Sequence, residues 1–447
     1  MKKYIWSLFL ASGFIFQLQA QDVPAGPYDL QTAVDIALEN NLALKRSELN
    51  QLSNQATVMQ NKGARIPTLS TGASSGVRWG RSINPVTNLF ETARIGNINL
   101  SANSNVTLFA GSRLTNTLNQ SKTNLEAGSY NIEATRNDIT LNIINLFVNV
   151  VFNREQVNIA ESQLATSKEQ LERTIKLVEA GSLPLSDQLD LQSQNATNEL
   201  EVINAKNNLR ISKLNLAQAM QIPFTEDFQV VEPEFVINES LMATENPEVI
   251  YNTAVEIMPE IKLAQANVES SEYGVKVAKG AFYPTLGIGA NLFSNYVDRV
   301  FGTERPGFGT QIQNNLSQSL NLNLNIPIFS QLNNKAAIQR ARVQRQISEV
   351  AEIEAKNTLR QDIETAYNSA LSAQQSYEAN LIRLKAVEES FRIAQQRLDV
   401  GAINSVDFQV AQNNLFNTQA DLLNAKYTYI FRVKVLDFYL GNPINLN

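Results

Sequence analysis

The chain has 447 residues, with 37 Lys and Arg against 43 Asp and Glu, and it contains neither cysteine nor histidine. Without those two residue types it lacks the ordinary zinc ligand sets, the common nucleophile–base pairs and the usual general base near neutral pH, and it forms no disulfide. A formal charge of −6 argues against nucleic acid as a partner, so no cofactor, metal or catalytic residue is expected and only carboxylate chemistry stays open.

In chain order the first element is a leader. Lys2 and Lys3 precede an apolar stretch from Ile5 to Phe16 and the small-residue site Leu18-Gln19-Ala20. That is the pattern of a secretory signal peptide over residues 1–20, too short to span a membrane. Removing it takes away two lysines and no acid, which lowers the formal charge from −6 to −8.

A helical pattern follows over about 28–62. Pro67 then opens a strand over about 67–78, a position where a missing N–H is tolerated. A Gly-, Asn- and aromatic-containing loop is expected around 79–95. The next strand, about 96–109, alternates Ile98, Leu100, Ala102 and Val106 against Asn97, Asn99, Asn103 and Asn105. About ten residues of alternation between an apolar and an Asn-rich face is how an outer-membrane barrel strand reads, with Ile98 and Leu100 toward lipid.

A helix over about 112–180 comes next, in which Ile143, Val150, Val157, Leu164, Leu171 and Val178 recur every seven residues. Such a strict repeat imposes a left-handed supercoil on packed helices. Its most apolar stretch, Leu141 to Phe152, is broken by Asn142, Asn145 and Asn149 and reads as a buried helix face. A shorter helix over about 185–220 returns, and residues 224–245 form a connecting segment.

The chain then repeats itself. Phe109 recurs as Phe329, Gly181 as Gly401, Asp187 as Asp407 and Pro223 as Pro443, each 220 residues on, and Gly63 to Leu69 recurs 217 on as Gly280 to Leu286. The second copy therefore carries helices over about 246–280, 332–400 and 404–440 and strands over about 284–294 and 317–329. In its last strand Leu320, Leu322 and Leu324 alternate with Asn321, Asn323 and Asn325. The fold class is mainly α with a transmembrane β part, built from repeats 21–223 and 246–447. A helix of this length is about 100 Å long, and each pair of shorter ones, stacked end to end, spans the same distance.

Four strands cannot close a membrane barrel, and an open sheet edge cannot sit in lipid. The chain must oligomerise, with two copies giving eight strands and three giving twelve. Two competing readings are a surface coiled-coil stalk, which has no use for a lipid-compatible sheet, and a carboxylate-dependent hydrolase, which needs two converging acids that the spacing does not offer.

The two hairpin tips, Glu179-Ala180-Gly181-Ser182-Leu183-Pro184-Leu185-Ser186-Asp187 and Asp399-Val400-Gly401-Ala402-Ile403-Asn404-Ser405-Val406-Asp407, each place an aspartate six residues after a glycine. With Thr32-Ala33-Val34-Asp35-Ile36-Ala37 and Asn40-Asn41 they resemble the TolC-like outer-membrane efflux family over essentially the whole mature chain. The resemblance implies a homotrimer with a twelve-strand barrel in the outer membrane of a Gram-negative bacterium and a long periplasmic helical tunnel. It implies an exit duct for efflux or type I secretion, served by a periplasmic adaptor and an inner-membrane pump. It also implies an entrance ringed by acids, here Asp187, Asp190 and Asp407, and adaptor docking at Gly181, Ser182, Leu183, Gly401, Ala402 and Ile403. Where some members carry a locking tyrosine and arginine this chain has Leu398 and Ile403, and Val410 stands at the repeat position of Asp190.

Overall fold

The computed structural model of the chain describes residues 26–83, 87–231, 246–298 and 306–442. The leader expected over 1–20 and most of the connecting segment lie outside the described residues. The elements are α1 (Leu30–Asn40), α2 (Leu42–Gly63), β1 (Thr68–Ile83), β2 (Phe90–Ala110), α3 (Arg113–Glu179) and α4 (Leu185–Ala219). The second copy supplies α5 (Pro247–Ile257), α6 (Pro259–Gly280), β3 (Thr285–Val297), α7 (Phe308–Asn314), β4 (Ser317–Asn325), α8 (Asn333–Asp399) and α9 (Ser405–Tyr439).

The helices reproduce the duplication: α3 and α8 each hold 67 residues, α4 and α9 each hold 35. Gly128 falls inside α3 because α2 crosses closely there, and an added Cβ would run into the Gln51 side chain. The opening helical patterns of both copies differ from expectation, since each breaks in two. In the first, Asn41 leaves the helical region (ψ 119°) and its side chain accepts from the amides of Ala43 and Leu44, capping a new helix. In the second, Met258 is held extended by the following Pro259.

The strand bounds also differ. β1 runs on to Ile83 and β2 begins at Phe90, so most of the loop expected at 79–95 is paired strand. β4 stops at Asn325, short of Pro327, which has no N–H to give the ladder. The strands form one curled antiparallel sheet in the order β1-β2-β3-β4, leaving β1 and β4 as open edges.

Among the described residues the two larger of three apolar clusters sit at mid-height of the helical layer. In the first, Ile143, Phe147 and Val151 of α3 meet Ala33 and Ala37 of α1, Leu216 of α4, and Phe228 and Val230, so the start of the connecting segment is packed. In the second, Ile250 and Ala254 of α5 meet Ile363 and Ala370 of α8 and Leu436 of α9. Ile143 and Ile363, one repeat apart, are both fully buried. Toward the sheet the helices lie side by side as α2, α3, α6, α8, and toward the tips as α4, α3, α9, α8. Among the described residues no helix is long and apolar enough to cross a membrane.

Candidate functional site

Each hairpin tip is built by a glycine. Gly181 (φ 73°) and Gly401 (φ 70°) lie in the left-handed region, where a Cβ is disfavoured. Both close their long helix in the same way. Ser182 N donates to Leu177 O at 2.8 Å and Gly181 N to Val178 O at 2.9 Å; Ala402 N donates to Arg397 O at 2.7 Å and Gly401 N to Leu398 O at 3.0 Å. These paired bonds satisfy carbonyls the helix end would leave bare.

The returning helices start differently. Asn404 caps α9 by accepting from Asp407 N at 2.8 Å, whereas Pro184 precedes α4 without a side-chain cap. Asp187 and Asp407 both fall in the first turn, where a carboxylate suits the helix dipole. Ser186 Oγ donates to Asp187 Oδ1 at 3.3 Å.

The two tips converge on a groove of about 810 Å3. Asp187 and Asp407 both line it, as do Ser182, Leu183, Gly401, Ala402 and Ile403. Gly181 is exposed beside the groove and not part of its wall, and Asp190 is exposed one turn further along α4. Leu398 lies in the groove with Ile403, and both side chains are apolar. Sequence reasoning missed Arg173, which brings a cation into the same groove from α3. Nothing local marks it, because the hairpin fold alone brings residue 173 near residue 407.

At the opposite end, cross-strand register keeps the two sheet faces separate. Leu320, Leu322 and Leu324 of β4 stand opposite Ala290, Ile288 and Leu286 of β3. Ile98 and Leu100 of β2 stand opposite Tyr296 and Ser294, on that same face. The three leucines are exposed, while Ile98 and Leu100 are half-buried. On the other face Asn103 opposes Asn291, Asn99 opposes Asn295, and Gly287 and Gly289 oppose Asn323 and Asn321. A Cβ added at Gly289 would lie 2.9 Å from Asn105 Oδ1 on this face, and one added at Gly96, on the other, 2.6 Å from Asp298 Oδ2. The two faces are thus chemically distinct, one rich in asparagine and the other in leucine and isoleucine.

The outer membrane efflux protein family model matches residues 33–220 and 250–442. The chain belongs to that family. This outer membrane efflux protein is 23% identical over 434 residues to the outer membrane efflux protein BepC of Brucella suis biovar 1, covering 96% of this chain and 88% of that one. It is 22% identical to the outer membrane protein TolC of Vibrio cholerae serotype O1, covering 69% and 68%. Its fold is similar to that of CusC, with a TM-score of 0.79 at 17% identity over 93% of this chain and 92% of that one. VceC of Vibrio cholerae gives a TM-score of 0.77 at 17% identity, covering 93% and 97%. The protein is thus an outer-membrane efflux channel with a large periplasmic helical part, and the surface-stalk alternative falls away.

Proposed function

We propose that three copies of this chain close into one conduit that carries cargo passively from a periplasmic adaptor and inner-membrane pump to the outside. The observation that carries this reading is that both layers are open at the same two edges. β1 and β4 have unpaired outer edges, and α2 and α8 bound the helical layer beneath them. Every residue of β4 is exposed, which a strand in lipid cannot sustain alone. α2 bears an exposed stripe, Leu42, Leu49, Leu52 and Met59, at heptad spacing, and α8 bears Val343, Ile347 and Val350. A head-to-tail ring sets β4 against the next copy's β1 and lays these stripes together.

Three copies place Asp187 and Asp407 in one narrow ring at the entrance, with Asp190 in a second ring one turn further from the tips. Clustered carboxylates attract cations, so the neck is cation-selective. The groove between the tips, with Gly181 and Gly401 holding its turns, is the docking place for an adaptor hairpin. The adaptor opens the neck, and the pump selects the cargo. Native mass measurement of the detergent-purified protein tests the assembly: three chains are expected, and a stable monomer or dimer overturns it.

A further inference from the structure

Charge is unevenly distributed along this chain. Residues 49–125 and 273–348, which hold the four strands and the helix turns joined to them, contain fifteen Lys and Arg but only three acids, against 37 and 43 in the whole chain. Two of those acids, Glu91 and Asp298, stand at the strand ends opposite the junction with the long helices. The junction of sheet and helices has none.

Six exposed cations gather at that junction. Lys62 and Arg65 end α2, Arg113 opens α3, Lys276 and Lys279 close α6, and Lys335 lies in the first turn of α8. The four helix ends are tied together. Arg65 donates to Thr115 Oγ1 at 2.6 Å and the Asn334 side chain donates to Ala281 O at 2.9 Å, while a Cβ on Gly280 would lie 3.0 Å from Gly111 O. The cations therefore form one collar.

The helix dipole accounts for Lys62 and Lys279, since a helix C-terminus favours cations. It does not account for Arg113 and Lys335. These sit in first turns, where the same field opposes a positive charge, and neither helix has an acid in that turn or a side-chain cap. Among the described residues no acid stands in the collar beside them. Next to the collar, on the strand side, Ile66, Phe282, Tyr283, Ile328 and Phe329 are exposed. Aromatic and aliphatic side chains at a strand end mark the level of lipid headgroups and do not suit a water-filled wall.

We propose that this collar binds the phosphates of anionic phospholipids in the leaflet facing the helices, fixing the depth of the channel in its membrane. The full-length protein, reconstituted in vesicles of mixed phosphatidylglycerol and phosphatidylcholine, is extracted and its retained lipids are counted by native mass spectrometry. Phosphatidylglycerol is enriched at low salt and the enrichment fades as salt rises. Each cation near an anionic surface changes partition about fivefold, so Arg113→Gln with Lys335→Gln lowers the preference on the order of 25-fold. Arg113→Lys with Lys335→Arg preserves it. Equal retention in the glutamine variant overturns the proposal. So does an unchanged lipid preference accompanied by a shift in anion conductance, which places the cations in the lumen. If the glutamine variant fails to assemble, the wild-type salt series decides: enrichment that is absent or insensitive to salt overturns the proposal.

Discussion

Placing an arginine at successive positions along β4 turns the two-faced sheet into a depth gauge. Strands rise about 3.4 Å per residue and tilt about 40° in such barrels, so Leu324, Leu322 and Leu320 lie roughly 3, 8 and 13 Å from the helical end of the strand. With an apolar band about 25 Å tall, Leu320 is at the midplane and Leu324 at its edge. Arginine on the lipid face costs about 2–4 kcal/mol at the midplane and about 0–1 kcal/mol near the interface. Leu320→Arg is therefore the most damaging of the series, Leu322→Arg intermediate and Leu324→Arg mild, with the cost paid in every copy of the ring. Asn321→Arg, one residue from Leu320 but on the Asn face opposite Gly289, points into water and costs little. The assay is urea titration of folding into vesicles, followed by the shift in gel mobility on heating. Equal cost at Leu320 and Asn321, or a gradient running the other way, refutes the facing argued from the register.

Gly401→Ala forces a Cβ into φ 70° and destabilises the tip by about 1–2 kcal/mol, read as faster hydrogen exchange at the Ala402 amide; unchanged exchange counts against the turn geometry. Burial, with Asp362, Glu260 and Asp138 nearby, raises the Tyr439 phenol from 10.0 to about 12. The folded state then holds that proton more tightly than the unfolded one. Its contribution is whole below pH 10 and is lost as pH climbs through about 12, so melting temperature falls across that window and Tyr439→Phe flattens the fall.

The long elements were legible because repetition doubled the signal. A heptad pattern found twice at one offset located α3 and α8 to within a residue or two at each end. The breaks at Asn41 and Met258 were harder to see, since Asn41 caps one helix while ending another and Pro259 reads equally well as a helix start. Strand lengths were misjudged for a related reason. Trp79 and Gly80 look like loop residues until β2 is seen pairing with them, and β4 alternates up to a proline that cannot join the ladder. The acids at the tips were visible as spacing, but their shared groove with Arg173 was not. That groove depends on two hairpins, separated by 220 residues in sequence, lying side by side.

The most direct test of the central claim is single-channel recording from the purified protein in planar bilayers. A water-filled, cation-selective pore is predicted, with Asp187→Asn plus Asp407→Asn lowering cation selectivity and Asp190→Asn, outside the groove, lowering it less. An absence of conductance in every preparation, or selectivity indifferent to all three aspartates, contradicts the account.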